Sequence, residues 1–154
     1  MRAVVQIRGE VNMSRGVRDT LEMLNLGRVN HCTLVPDRET YDGMVKKVAE
    51  FVAFGEPSVE TVATLLQTRG EPADGDEPVD DAWVGEHTAF DDVESLAAAL
   101  IDEEVTLGDV GLSPTLRLHP PRGGHDGIKH SRRNGGVIGQ HDQVEIDELL
   151  YSMR

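Results

Sequence analysis

AVVQIRGEVNMSRGVRDTLEMLNLGRVNHCTLV, residues 3–35, holds two hydrophobic periods side by side. In Ala3–Arg8, Ala3, Val5 and Ile7 alternate with Val4, Gln6 and Arg8, which is the period of a strand. Ser14 can then cap a helix in which Val17, Leu21 and Leu24 recur at i, i+4 and i+7. Gly27 is expected to supply a left-handed C-terminal cap. Val29–Val35 reads as a second strand stopped by Pro36. Beyond it, Thr40 is expected to cap a second helix with Tyr41, Met44, Val45 and Val48 on its buried stripe. Phe51–Phe54 reads as a third strand, ended by Gly55 and Pro57. Strand, helix, strand, helix, strand predicts an α+β fold with a β-α-β-α-β core over residues 1–57, its two helices on one face of a small sheet.

Residues 58–112 have another texture. Val59, Val62, Ala63 and Leu66 mark a helix ending at Arg69-Gly70. EPADGDEPVDD (71–81) reads as an exposed acidic loop, with a short turn at Trp83 anchoring it. Asp91 and Glu94 have capping-box spacing ahead of a stripe of Val93, Leu96, Ala97, Leu100 and Ile101. The third region, 113–154, opens with Thr115–His119, where Leu116 and Leu118 point inward and Arg117 and His119 outward. RGGHDGIKHSRRNGGVIGQH (122–141) follows without apolar periodicity. Asp142 and Glu145 repeat the capping-box spacing before a final helix with Ile146, Leu149, Leu150 and Met153 inward.

The formal net charge is −13, with 15 Lys+Arg against 28 Asp+Glu. Acidity of this size ordinarily argues against a polyanionic partner, but it is unevenly spread. Residues 1–55 hold 8 basic and 7 acidic groups, whereas 56–112 hold 1 and 16. Residues 113–141 hold 5 basic groups and 1 acidic, plus four of the six histidines. Such asymmetry marks a nucleic-acid contact. Only 3 of the 15 cations are lysines, and lysine-poor acidity fits a protein working in molar salt. There the Debye length is only about 3 Å, so distant carboxylates barely repel a phosphate.

The glycine-rich stretch is the informative one. Glycine lets a backbone approach a phosphate and offer its N–H groups, and arginine binds phosphate oxygens in bidentate fashion. With no Phe, Tyr or Trp in 122–141, recognition by aromatic stacking is not expected. Composition alone leaves two rivals open. The stretch could be a disordered loop on a module that binds proteins through its acidic helices. His119, His125, His130 and His141 with Asp126 could build a metal-dependent enzyme, although their spacing matches no paired-ligand motif. The one cysteine, Cys32, lies in a strand pattern and reads as inert and buried. There is no P-loop and no G-x-S-x-G, and the G-G-x-x-G at Gly135–Gly139 is expected to follow no strand. No cofactor, metal or small-molecule substrate is expected. No run of about 20 apolar residues marks a membrane span, and MRAVVQIRGE lacks a signal core, so a cytoplasmic location is expected.

TLEMLNLGRVNHCTLVPDRETYDGMVKKV (20–48) resembles the core signature of the universal large-ribosomal-subunit protein family numbered thirty. FVAFGEPSVETVATLLQTRG (51–70), PTLRLHPPRGG (114–124) and NGGVIGQHD (134–142) resemble the continuation in its long archaeal members. The resemblance implies a core like a two-layer ferredoxin sandwich. It also implies binding to large-subunit ribosomal RNA beside neighbouring ribosomal proteins, a part in subunit assembly and translation, and no catalysis. Carried over to these positions, RNA contacts fall on Arg117, His119, Arg122, Gly123, Gly124, Gly135, Gly136 and Gly139, with Arg15, Arg18, Arg28 and Asn30 as further candidates. The composition of the stretch adds His125, Lys129, His130, Arg132, Arg133 and His141. Acidity and scarce lysine point, within the family, to a salt-adapted archaeon.

Overall fold

The computed structural model describes residues 1–154. β1 (Arg2–Gln6) is the central partner of the core, antiparallel to both β2 (His31–Val35) and β3 (Val52–Gly55). Between them lie α1 (Arg15–Met23) and α2 (Glu39–Lys47). The period-2 reading of β1 holds. Val4 packs with Leu21, Leu24, Val45 and Val48 beneath α1 and α2, while Ala3, Val5 and Ile7 belong to the opposite face. The two helices therefore share one face, as the sequence predicts.

The second face is covered by elements from the rest of the chain. α3 (Val59–Arg69) contributes Leu65, and α6 (Gln143–Ser152) contributes Ile146 and Leu150. Burying a side chain of this kind stabilises by roughly 1.5–3 kcal/mol. Two more elements, α4 (Asp81–His87) and α5 (Val93–Ile101), build a separate apolar cluster with Val62 and Leu66 of α3, around Trp83, Leu96 and Leu100. The acidic region is closed at its base: Ala73 N–H donates to Gly111 O and Ser113 N–H to Glu71 O, each at 2.8 Å. This pairing brings Glu71 up against the start of the third region.

That region extends the sheet at both edges. β4 (Leu116–Arg117) pairs with β2, and β6 (Gly136–Gln140) runs parallel to β3 with β5 (Gly127–Ser131) beyond it. The sheet order is β4-β2-β1-β3-β6-β5. The segment read as lacking periodicity thus contains two strands. Val137 and Ile138 are adjacent yet both buried, because β6 is covered on both faces and leaves no alternation to read. β5 is exposed along its whole length and is equally silent in hydropathy.

Four local expectations shift. Asn25, not Gly27, takes the left-handed position after α1 (φ 61°); Leu26 N–H donates to Leu21 O at 2.8 Å and Asn25 N–H to Glu22 O at 3.0 Å, a Schellman pair. α2 starts at Glu39 after Arg38, so Thr40 lies within the helix, and Glu39 and Asp42 favour the helix dipole where no side chain caps. Asp92 rather than Asp91 caps α5, accepting from Ser95 N–H at 2.7 Å. The G-G-x-x-G follows β5 and itself lies largely within β6, contrary to the sequence reading.

Candidate nucleic-acid interface

α6 decides where the glycine-rich stretch goes. Asp142 accepts from Glu145 N–H at 2.8 Å, and Glu145 Oε1 accepts in return from Asp142 N–H, completing the expected capping box. At the other end, the last-turn carbonyls of α6 capture the entering chain: His119 N–H donates to Met153 O and Arg122 N–H to Ser152 O. Residues 119–142 are thereby tied at both ends to one helix. Within them Gly136 runs so close to β5 that a Cβ would fall 1.9 Å from His130 O, so only glycine fits.

The sequence-predicted residues fall into two groups and a remainder. Arg18, Arg28 and Arg117 come together at a cleft of about 420 Å³ between α1, the 25–31 turn and β4. Arg15 lies one turn earlier on α1, beside Asp19. Asn30 has φ 71°; its N–H donates to Gln6 O and its carbonyl accepts from Leu118 N–H, so it joins β1 to the chain leaving β4. The second group is Gly124, His125, Arg132, Gly136 and His141, around a cleft of about 200 Å³ against α6. His119, Arg122, Gly123, Lys129, His130, Arg133 and Gly135 are exposed along the same 119–142 segment.

Within the second group His141 serves the fold. It is buried, and its Nε2 bonds Val137 O at 2.7 Å, bridging β6 to the start of α6. Burial removes it from a contact surface, and Gly136 is buried for the same reason of close packing. Both belong to the packing beneath the exposed segment. Burial also pushes the His125 pKa below its ordinary value, holding that ring neutral.

Carboxylates that the sequence reading missed restrain four of the candidate arginines: Arg15 and Arg18 lie 3.9 Å from Asp19 and Glu10, and Arg117 and Arg132 are held more closely. Arg117 Nε donates to Glu71 Oε1 at 2.8 Å, and its Nη2 lies 2.7 Å from the same oxygen. Arg132 pairs with the second oxygen of Glu145. That bond holds the Glu145 carboxyl below its usual range and raises the Arg132 pKa. Arg28, Arg122, Lys129 and Arg133 form no salt bridge within the chain. His31 was also missed. It is half-buried in the first cleft, where desolvation, then Arg28 and Arg117, push its pKa below 6.5. Its outward place in β2 was the available signal. Cys32, beside it, is fully buried with its thiol pushed up to about 12.

The description Ribosomal protein L30p/L7e belongs to the family model that matches residues 3–52, the core up to the start of β3. The whole chain is 63% identical to the large ribosomal subunit protein uL30 of Natronomonas pharaonis and, at the same level, to that of Haloarcula marismortui, each covered from end to end. The chain belongs to the uL30 family. It is 49% identical, again over full length, to the uL30 of Methanoculleus marisnigri. The acidic insertion and the glycine-rich extension are therefore parts of a full-length uL30 pattern. The first two of these relatives come from halophiles, in keeping with the charge pattern read from composition. No helix is long and apolar enough to cross a membrane.

Proposed function

We propose that this uL30 chain is a structural constituent of the large ribosomal subunit in the cytoplasm. It binds large-subunit ribosomal RNA, packs beside neighbouring ribosomal proteins and supports subunit assembly and translation, without a catalytic step. The observation carrying the RNA-binding reading is the display of Arg122, Lys129 and Arg133 on a segment tied to the body by α6, with no carboxylate of the chain spent on them. Guanidinium and ammonium groups on such a frame position a phosphate backbone without reading its sequence. The acidic 56–112 region, except for Glu71 at its base, then faces away from the RNA.

Joint Arg122→Ala, Lys129→Ala and Arg133→Ala tests this, with binding to large-subunit ribosomal RNA measured across a KCl series. Three lost phosphate contacts should flatten the log–log salt slope by about 2. Unchanged slope and affinity would overturn the assignment of this segment. A lysate gradient supplies the independent check, because a subunit constituent sediments with large particles.

A further inference from the structure

The first cleft offers more than cations. Met13, Leu21 and Leu26, all buried, form its apolar floor. Arg18, Arg28, His31 and Arg117 line it together with the carboxylates of Glu10, Glu22 and Glu71. A phosphate needs no such floor, and about 420 Å³ lies in the range that admits a small organic ligand. RNA supplies one when a loop or bulge turns out an unstacked base. This chain has few aromatic residues on which such a base could stack: aromatics make up 4% of it, and the one tryptophan, Trp83, is buried in the acidic region. Tyr151 is exposed, but Arg154 already lies over its ring, so a pocket is the better way to hold one.

We infer that this cleft seats one unstacked nucleotide of the ribosomal RNA, its base face on Met13, Leu21 and Leu26 and its flanking phosphates on Arg28 and Arg117. This rests on the RNA-binding reading above and adds a site and a ligand class to it. His31 lines the same cleft and is the side chain assigned to the base edge. Burial first, then Arg28 and Arg117, push its pKa down, and as a neutral ring it offers one donor and one acceptor, which is what an edge requires. Arg28 needs no release to act, because it has no carboxylate partner, whereas Arg117 leaves Glu71 for the phosphate. The two cationic residues come from positions 89 apart in sequence and meet only because β4 pairs with β2.

Glu22 lines the same cleft, is exposed, and lies on the solvent side of α1, so it can be changed without touching the core. Glu22→Trp closes the cleft with bulk; Glu22→Gln removes the charge alone. Charge by itself makes both variants bind ribosomal RNA tighter. Seating a base makes Glu22→Trp bind about tenfold weaker than Glu22→Gln, within the range one held base contributes. Thermal melts of both variants establish folding, and Glu22→Phe is the second bulky variant should the tryptophan not be tolerated, with the same direction expected. In parallel, the unmodified chain is titrated with the four nucleoside 5′-monophosphates and with inorganic phosphate, while the Leu21 and Leu26 methyls and the His31 ring are followed by NMR. A mononucleotide should move all three and phosphate should leave the methyls still. Equal binding by the two Glu22 variants, or equal methyl shifts from phosphate and mononucleotides, overturns the inference. Loss of the ribosomal RNA interaction altogether strikes the parent reading instead, and the mononucleotide titration still decides the cleft.

Discussion

Adding one methyl group at two glycines should have opposite consequences. Gly55 ends β3 where β6 and α6 meet the core. A Cβ there would lie 2.7 Å from the backbone oxygen of His141 and 3.1 Å from Ile146 Cβ. The first contact is with main chain, which cannot rotate away. That main chain is also fixed, since His141 N–H donates to Phe54 O at 2.8 Å. Gly55→Ala must therefore push residues 141–146 off the sheet, an overpacking cost of about 1–3 kcal/mol. Gly43 is exposed within α2, with nothing within 4 Å of an added Cβ. Gly43→Ala should stabilise by about 0.5–1 kcal/mol through helix propensity. Urea unfolding in molar KCl gives both values on one scale, and hydrogen exchange locates the damage. In Gly55→Ala the amides of 137–141 should lose protection first. A Gly55→Ala protein within about 0.5 kcal/mol of the parent, the range of an ordinary surface change, would refute the close-approach argument.

Asp142→Ala breaks both halves of the α6 capping box and should cost about 1 kcal/mol in the same unfolding assay. His31 should titrate below 6.5 in an NMR pH series, and Arg28→Ala should raise its midpoint only part of the way, because desolvation is the larger cause. With the folded pKa below the unfolded one, His31 leaves stability unchanged above about pH 6.5, lowers it as pH falls beneath that value, and adds no further loss once the folded pKa is passed. The Cys32 thiol, buried and pushed up to about 12, should react with a thiol reagent only at the rate of unfolding. Reaction at the rate of a free thiol in the folded protein would contradict its burial.

The sequence made legible what depends on one element at a time. The core strands and helices, the α5 and α6 stripes and the Asp142–Glu145 box follow from period and capping chemistry, and all are present. What escaped depends on pairing between distant segments. β6 is a strand because β3 offers it an edge, not because GVIGQ alternates. Gly136 and His141 drew attention as glycine and histidine in a basic stretch, and only packing reveals them as support. Arg117 and Arg132 were read as RNA contacts with no sign of their partners, because nothing local places Glu71 or Glu145 beside them. Arg18, Arg28 and Arg117 drew separate notice, but the cleft that unites them exists only in three dimensions.

A protein of net charge −13 can grip a polyanion if its restraints on the gripping groups give way to phosphate. Arg117 with Glu71, and Arg132 with Glu145, are such restraints, and both pairs lie at the surface. Exposed pairs of this kind hold weakly and weaken further with salt. A phosphate can thus replace either carboxylate with little loss to the fold. The carboxylates still compete for the arginines, so Glu71→Gln with Glu145→Gln should raise affinity for large-subunit ribosomal RNA several-fold at about 0.1 M KCl. At molar KCl the gain should shrink towards nothing, because salt screens the exposed Arg–Glu pairs themselves and leaves the carboxylates little hold on the arginines. Binding isotherms across that range read the convergence. A gain that persists undiminished at molar salt would mean that the two glutamates oppose RNA by direct contact with it, and the acidic side of this interface would have to be redrawn.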